Sequence, residues 1–179
     1  MPGGAFAWIV GITWLAVPFG FYFAWRLLAS GHPPERPVRA AGVALVVLVA
    51  LYLAPRPVLG LVDRIVPLPF PPVLILVWVI AAAAAAAAWA QWPLLARTLC
   101  AYGILSRLPV TIVMFLAMSG NWGTHYDYVG MPAPFQMPFW PRFLWLAFFP
   151  QLIFWVAFTI VAGVTSGTLA AVVWRRSDA

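Results

Sequence analysis

Apolar residues fill this chain in long blocks, and the breaks between blocks are short turns rich in proline and arginine. A helix needs roughly 20 apolar residues to cross the ~30 Å hydrocarbon of a bilayer, so block length is the first quantity to read. The first block, 6–28, is long enough to cross. Pro18 within it predicts a kink, because proline removes one helical hydrogen bond and crowds the turn before it. No basic residue precedes this block and no small-residue cleavage site follows it, so the pattern predicts a retained span rather than a signal peptide. Ser30-Gly31-His32-Pro33-Pro34-Glu35-Arg36-Pro37 then predicts a polar turn that stops the helix.

The second block, 40–54, is short for a crossing. Pro55-Arg56-Pro57 follows it, and residues 58–66 are mildly amphipathic around Asp63 and Arg64. The pattern predicts a short span and then an interfacial segment, with one long helix kinked at Pro55 as the alternative. A third span is expected over 73–95. Its alanine run, Ala81 to Ala88, combines high helix propensity with a smooth packing face. Leu108 to Met118 is apolar apart from Thr111 but covers only about 16 Å as a helix. A fourth span must therefore reach back to 99–119, which draws Ser106 and Arg107 into the membrane region. Phe143 to Trp174 would measure about 48 Å as one helix, so Pro150 predicts a break. The expected fifth span is 151–174, with 143–149 as an interfacial or re-entrant lead-in.

The pattern thus predicts an all-α, polytopic transmembrane bundle of about five spans in a single transmembrane domain. Composition supports that class: of 179 residues, 65% are hydrophobic and 8% are charged. Soluble domains carry about 25% charged residues, and disorder requires low hydrophobicity with high net charge. One cysteine, Cys100, allows neither an intrachain disulfide nor a cysteine zinc cluster.

All ten basic residues are arginine, set against four acids, Glu35, Asp63, Asp127 and Asp178. No basic stripe exists for a phosphate backbone to follow, so nucleic acid is not an expected partner. The arginines sit at the edges of the apolar blocks instead. With the N-terminus outside, six of them (26, 36, 39, 97, 175, 176) face the cytoplasm and three (56, 64, 142) face outward. That asymmetry predicts N-out, C-in. Arginine without lysine, an alanine octet and 18 prolines are the marks of a GC-rich genome, which points to a bacterial inner membrane.

The outer loop, 120–141, holds the densest candidate chemistry. Trp122, Tyr126, Tyr128, Phe139 and Trp140 suit the headgroup layer, where amphipathic rings settle. His125 and Asp127, two residues apart, share a side in an extended segment and could form an acid–base pair. The structural alternative is a turn stapled by the side chains of Asn121, His125 and Asp127, and it is preferred because no motif supplies a nucleophile. One His and one Asp do not make a zinc site, and no span holds the histidines a haem needs, so neither metal nor cofactor is expected.

Arg107 is a candidate because an arginine inside a membrane is costly. Its functional reading is a site for a lipid phosphate or for a partner subunit's carboxylate. Its structural alternative is an amphipathic turn over 97–107 that lets it reach the interface. In the last span, Thr159, Gly163, Gly167 and Ala171 recur every four residues and predict a close-packing helix face, with Val161 off that face. The function that follows is a small multi-pass membrane protein with a binding or structural role, a subunit or accessory of a larger assembly or a self-associating chain. The alternative is an enzyme acting on a lipid-type substrate at the outer face through His125 and Asp127.

Overall fold

A computed structural model describes residues 12–65, 73–124, 126–127 and 136–177. The described chain is helical throughout, without strands. A 3₁₀ turn, Ile12–Leu15, leads into α1 (Ala16–Ala29); α2 (Pro37–Leu53), α3 (Pro55–Ile65), α4 (Val73–Trp89) and α5 (Pro93–Gly120) follow. The last helical stretch begins as α6 (Phe139–Phe143), passes through π-helical turns at Leu144–Phe148 and Pro150–Phe154, and ends as α7 (Trp155–Ser177). Ile12–Ala29, Pro93–Gly120 and Phe139–Trp174 are long and apolar enough to cross a membrane, and α2 with α3 makes a fourth if that bent pair is one span.

Proline sets most of these boundaries. Pro37, Pro55 and Pro93 each open a helix, where a missing N–H costs nothing and the fixed φ suits the first turn. The predicted span 73–95 is corrected by that rule. Its helix ends at Trp89, Ala90 to Trp92 form a turn, and Pro93 starts the next helix six residues before the expected Leu99. A 3₁₀ turn, Ile12–Leu15, precedes Pro18, which itself lies in the first turn of α1. At the far end of α1 the chain stops as the Ser30–Pro37 pattern predicts. The Gly31 N–H donates to Leu28 O at 3.0 Å and the His32 N–H to Leu27 O at 2.9 Å. Gly31 takes a φ of +78°, the left-handed turn that glycine adopts without strain.

Pro150 is the second correction. The helix does not break there but continues from 139 to 177. Proline withholds the N–H that would bond one turn back, and the π-helical turns on either side absorb the mismatch, an adjustment membrane helices use to re-satisfy freed backbone groups. Residues 143–149 are therefore part of the packed bundle. Trp78 of α4 stacks on Trp145 at 5.3 Å, and Phe143, Leu146 and Ala147 bury against Met114 and Met118 of α5.

α7 is the axis of the fold, and α1, α2, α4 and α5 all pack on it. Small residues let them approach. Ala81, Ala85 and Ala88 turn one face of the alanine run into the core, and Ala24 and Ala44 do the same from α1 and α2. α2 meets the following segment, Pro57–Ile65, at 49°.

Candidate functional site

Arg107 lies at the middle of α5, fourteen residues after Pro93 and thirteen before Gly120. At 1.5 Å per residue each end of the helix is about 20 Å away. Residues 97–107 are continuous α-helix, and the Arg107 side chain is 5% exposed. Three elements surround it. From ahead of α1, Thr13 Oγ1 accepts from Nη2 at 3.1 Å. From the second π-helical turn, Gln151 Oε1 accepts from Nη1 at 3.3 Å. The Trp155 ring lies 5.1 Å from the guanidinium carbon, a cation–π contact. Gln151 is held in turn by Met114, whose sulfur accepts from Nε2 at 3.7 Å.

Two features mark this cluster. Arg107 Nε is buried without a hydrogen-bond partner, and both bonds that do form are longer than the 2.7–2.9 Å of a charge-assisted pair. Among the described residues no carboxylate reaches the guanidinium, so neutral acceptors and an indole face hold a full charge. Thr13 and Gln151 carried a signal in the sequence: each is an isolated polar residue in an apolar block, and Gln151 follows Pro150 directly. Their meeting with Arg107 depends on how three helices pack. π-helical turns concentrate at functional sites, and this one aims Gln151 at the cation.

The outer loop is described in part. Asn121 takes a φ of 47° and ends α5 through its backbone conformation rather than a side-chain staple. Asp127 is fully buried; its Oδ2 accepts the Thr124 N–H at 3.1 Å, and its own N–H donates to Thr124 O at 3.3 Å. The Thr124 hydroxyl accepts the Tyr126 N–H at 3.3 Å. The Asp127 carboxylate is thus built into a tight turn. His125 and Tyr128 lie outside the described residues. Trp122, Tyr126 and Trp140 are exposed, while Phe139 is half-buried against Phe115, Phe143 and Trp140. Among the described residues no three of His, Cys, Asp and Glu gather as metal ligands would.

Thr159, Gly163, Gly167 and Ala171 are all buried, and their neighbours belong to the same chain. A Cβ on Gly163 would meet the Leu99 side chain, one on Gly167 would meet Leu95 and Ala24, and Thr159 faces Gly103. The matching face on α1 is Ala16, Gly20 and Ala24, buried and also spaced by four. That spacing was legible and complementary, although the pairing was not. At Gly20 the backbones touch so closely that a methyl would overlap Gly163 backbone atoms. Such contact leaves carbonyls within reach of hydroxyls: Ser166 Oγ donates to Val17 O at 2.9 Å and Thr165 Oγ1 to Ala44 O at 3.1 Å. Val161, expected off the face, is completely buried because α1, α2, α4 and α5 all pack on α7 and cover more of it than the small-residue stripe.

Comparison with protein-family models, with curated proteins and with solved structures finds no match.

Proposed function

We propose that the protein is a multi-pass subunit or accessory of a larger membrane assembly, with a binding role rather than a catalytic one. The observation that carries this reading is Arg107, a cation at mid-helix that meets only neutral partners among the described residues. A buried charge is expensive until it is paired, and the counter-charge is assigned to another molecule. The small-residue face of α7 is spent on packing within the chain, so the assembly contact lies elsewhere.

In this reading the chain crosses a bacterial inner membrane five times, N-out and C-in. The six-to-three arginine asymmetry supports that orientation. α4, at 17 residues, crosses where the bilayer thins locally, and α3 rests at the interface with Asp63 and Arg64 exposed to water. The enzyme alternative would pair Asp127, whose Oδ2 accepts the Thr124 N–H, with His125, which lies outside the described residues. Purification from native membranes in mild detergent, followed by native mass spectrometry, tests the proposal. A second protein at fixed stoichiometry is expected. A chain that purifies alone at full stability would overturn the reading.

A further inference from the structure

We infer that the counter-charge of Arg107 is a carboxylate carried by a transmembrane helix of a different protein and held near mid-bilayer. The inference rests on the assembly reading and names the chemistry of its partner.

Depth selects the class. Lipid phosphates lie at the two interfaces, and a guanidinium about 20 Å from either end of α5 is too deep for them. A carboxylate on a helix can sit at any depth, because its backbone is already satisfied. Carboxylate oxygens also match the guanidinium fork, which Thr13 and Gln151 fill with single, long bonds while Nε goes without. Access is lateral. Thr13 and Gln151 are each half-buried, so the two terminal nitrogens sit behind one layer of side chain rather than at the centre of the bundle. On α5 itself Ile104, Leu108 and Ile112, spaced by four around the level of Arg107, are apolar and exposed, a surface along which another membrane helix can lie.

A second copy of this chain is a poor source for that carboxylate. Glu35 lies in the turn between α1 and α2, and Asp127 in the turn beyond α5; both are at helix ends. Asp178 follows Ser177 in the sequence. Asp63, exposed near the end of α3, is the own-chain acid to be tested directly.

The test uses the full chain in phosphatidylcholine vesicles, labelled at a cysteine replacing Thr124 in a Cys100→Ser background. The probes are synthetic leucine–alanine helices of about 20 residues. One carries a central aspartate, one a central asparagine, and one an aspartate moved two turns, about 11 Å, off centre. Energy transfer should report association of the central-aspartate helix at least about tenfold tighter than of the asparagine helix, the scale of a hydrogen bond to a charged group. The displaced aspartate should lose most of that preference. Arg107→Gln should abolish it and Arg107→Lys should keep a reduced part. Equal binding of the aspartate and asparagine helices to the unaltered protein overturns the inference. So does self-association that Asp63→Asn abolishes. If Arg107→Gln fails to fold, the three probes on the unaltered chain still decide. A native partner with no aspartate preference sinks this inference alone, whereas the preference without a native partner sinks the assembly reading.

Discussion

Gly20→Ala should destabilise the bundle more than Gly163→Ala, although the Gly-x-x-x-Gly spacing on α7 singles out Gly163. At Gly20 the added methyl would overlap the Gly163 carbonyl and Cα, and backbone atoms cannot step aside. Overpacking of that kind costs about 1–3 kcal/mol, against a helix-propensity gain of about 1 kcal/mol for replacing glycine. The expected net loss is up to about 2 kcal/mol. At Gly163 the atoms nearest the added methyl are the Cδ and Cγ atoms of Leu99, a side chain that can turn about 30° from its rotamer for about 0.5–1.5 kcal/mol. The propensity gain offsets most of that, leaving the variant within about 0.5 kcal/mol of the parent. Gly42, exposed on α2 with open space around it, is the control, and Gly42→Ala should be neutral or stabilising by up to about 1 kcal/mol. Reversible unfolding in mixed detergent micelles, followed by circular dichroism, measures all three. A Gly163→Ala variant as damaged as Gly20→Ala would refute the pairing of α1 with α7 at this point.

Larger residues should reverse that tolerance on α7: Gly163→Leu and Gly167→Leu should both unfold at lower denaturant, while Val173→Leu, at a 69% exposed position, should match the parent in the same assay. Gln151→Leu leaves an Arg107 nitrogen buried without its acceptor, and should cost about 1–3 kcal/mol in unfolding free energy; an unchanged stability would mean that Gln151 does not hold the arginine. Asp127→Asn should lower stability by about 0.5–1.5 kcal/mol, with function falling only in proportion to the protein remaining. A fully assembled but inactive variant would restore the enzyme reading. A cysteine replacing Thr124 in a Cys100→Ser background should react with an impermeant thiol reagent outside intact cells, and one replacing Ser177 should not; the opposite labelling inverts the orientation.

Much of the local structure follows from the sequence alone. The Ser30–Pro37 turn, the buried face of the alanine run and the all-helical class are consequences of residue type at short range, where propensity and proline chemistry act. The same chemistry could have placed a helix start at Pro93, since proline opens helices as readily as it ends them. Pro150 is different. Whether a proline breaks a helix depends on what surrounds it, and here Trp78 and the α5 methionines hold the segment in the bundle while π-helical turns repair its hydrogen bonding. Packing likewise decided the partner of the α7 glycines. A four-residue spacing announces a close contact, but α1, α2 and another chain offer equivalent small faces until the helices are arranged in space. Arg107 combines both levels. Its isolation in an apolar block is a fact of sequence, whereas its company of Thr13, Gln151 and Trp155 joins residues up to 94 positions apart along the chain. Only three-dimensional packing brings such positions together, and among the described residues it supplied this cation with dipoles and a ring but no opposite charge.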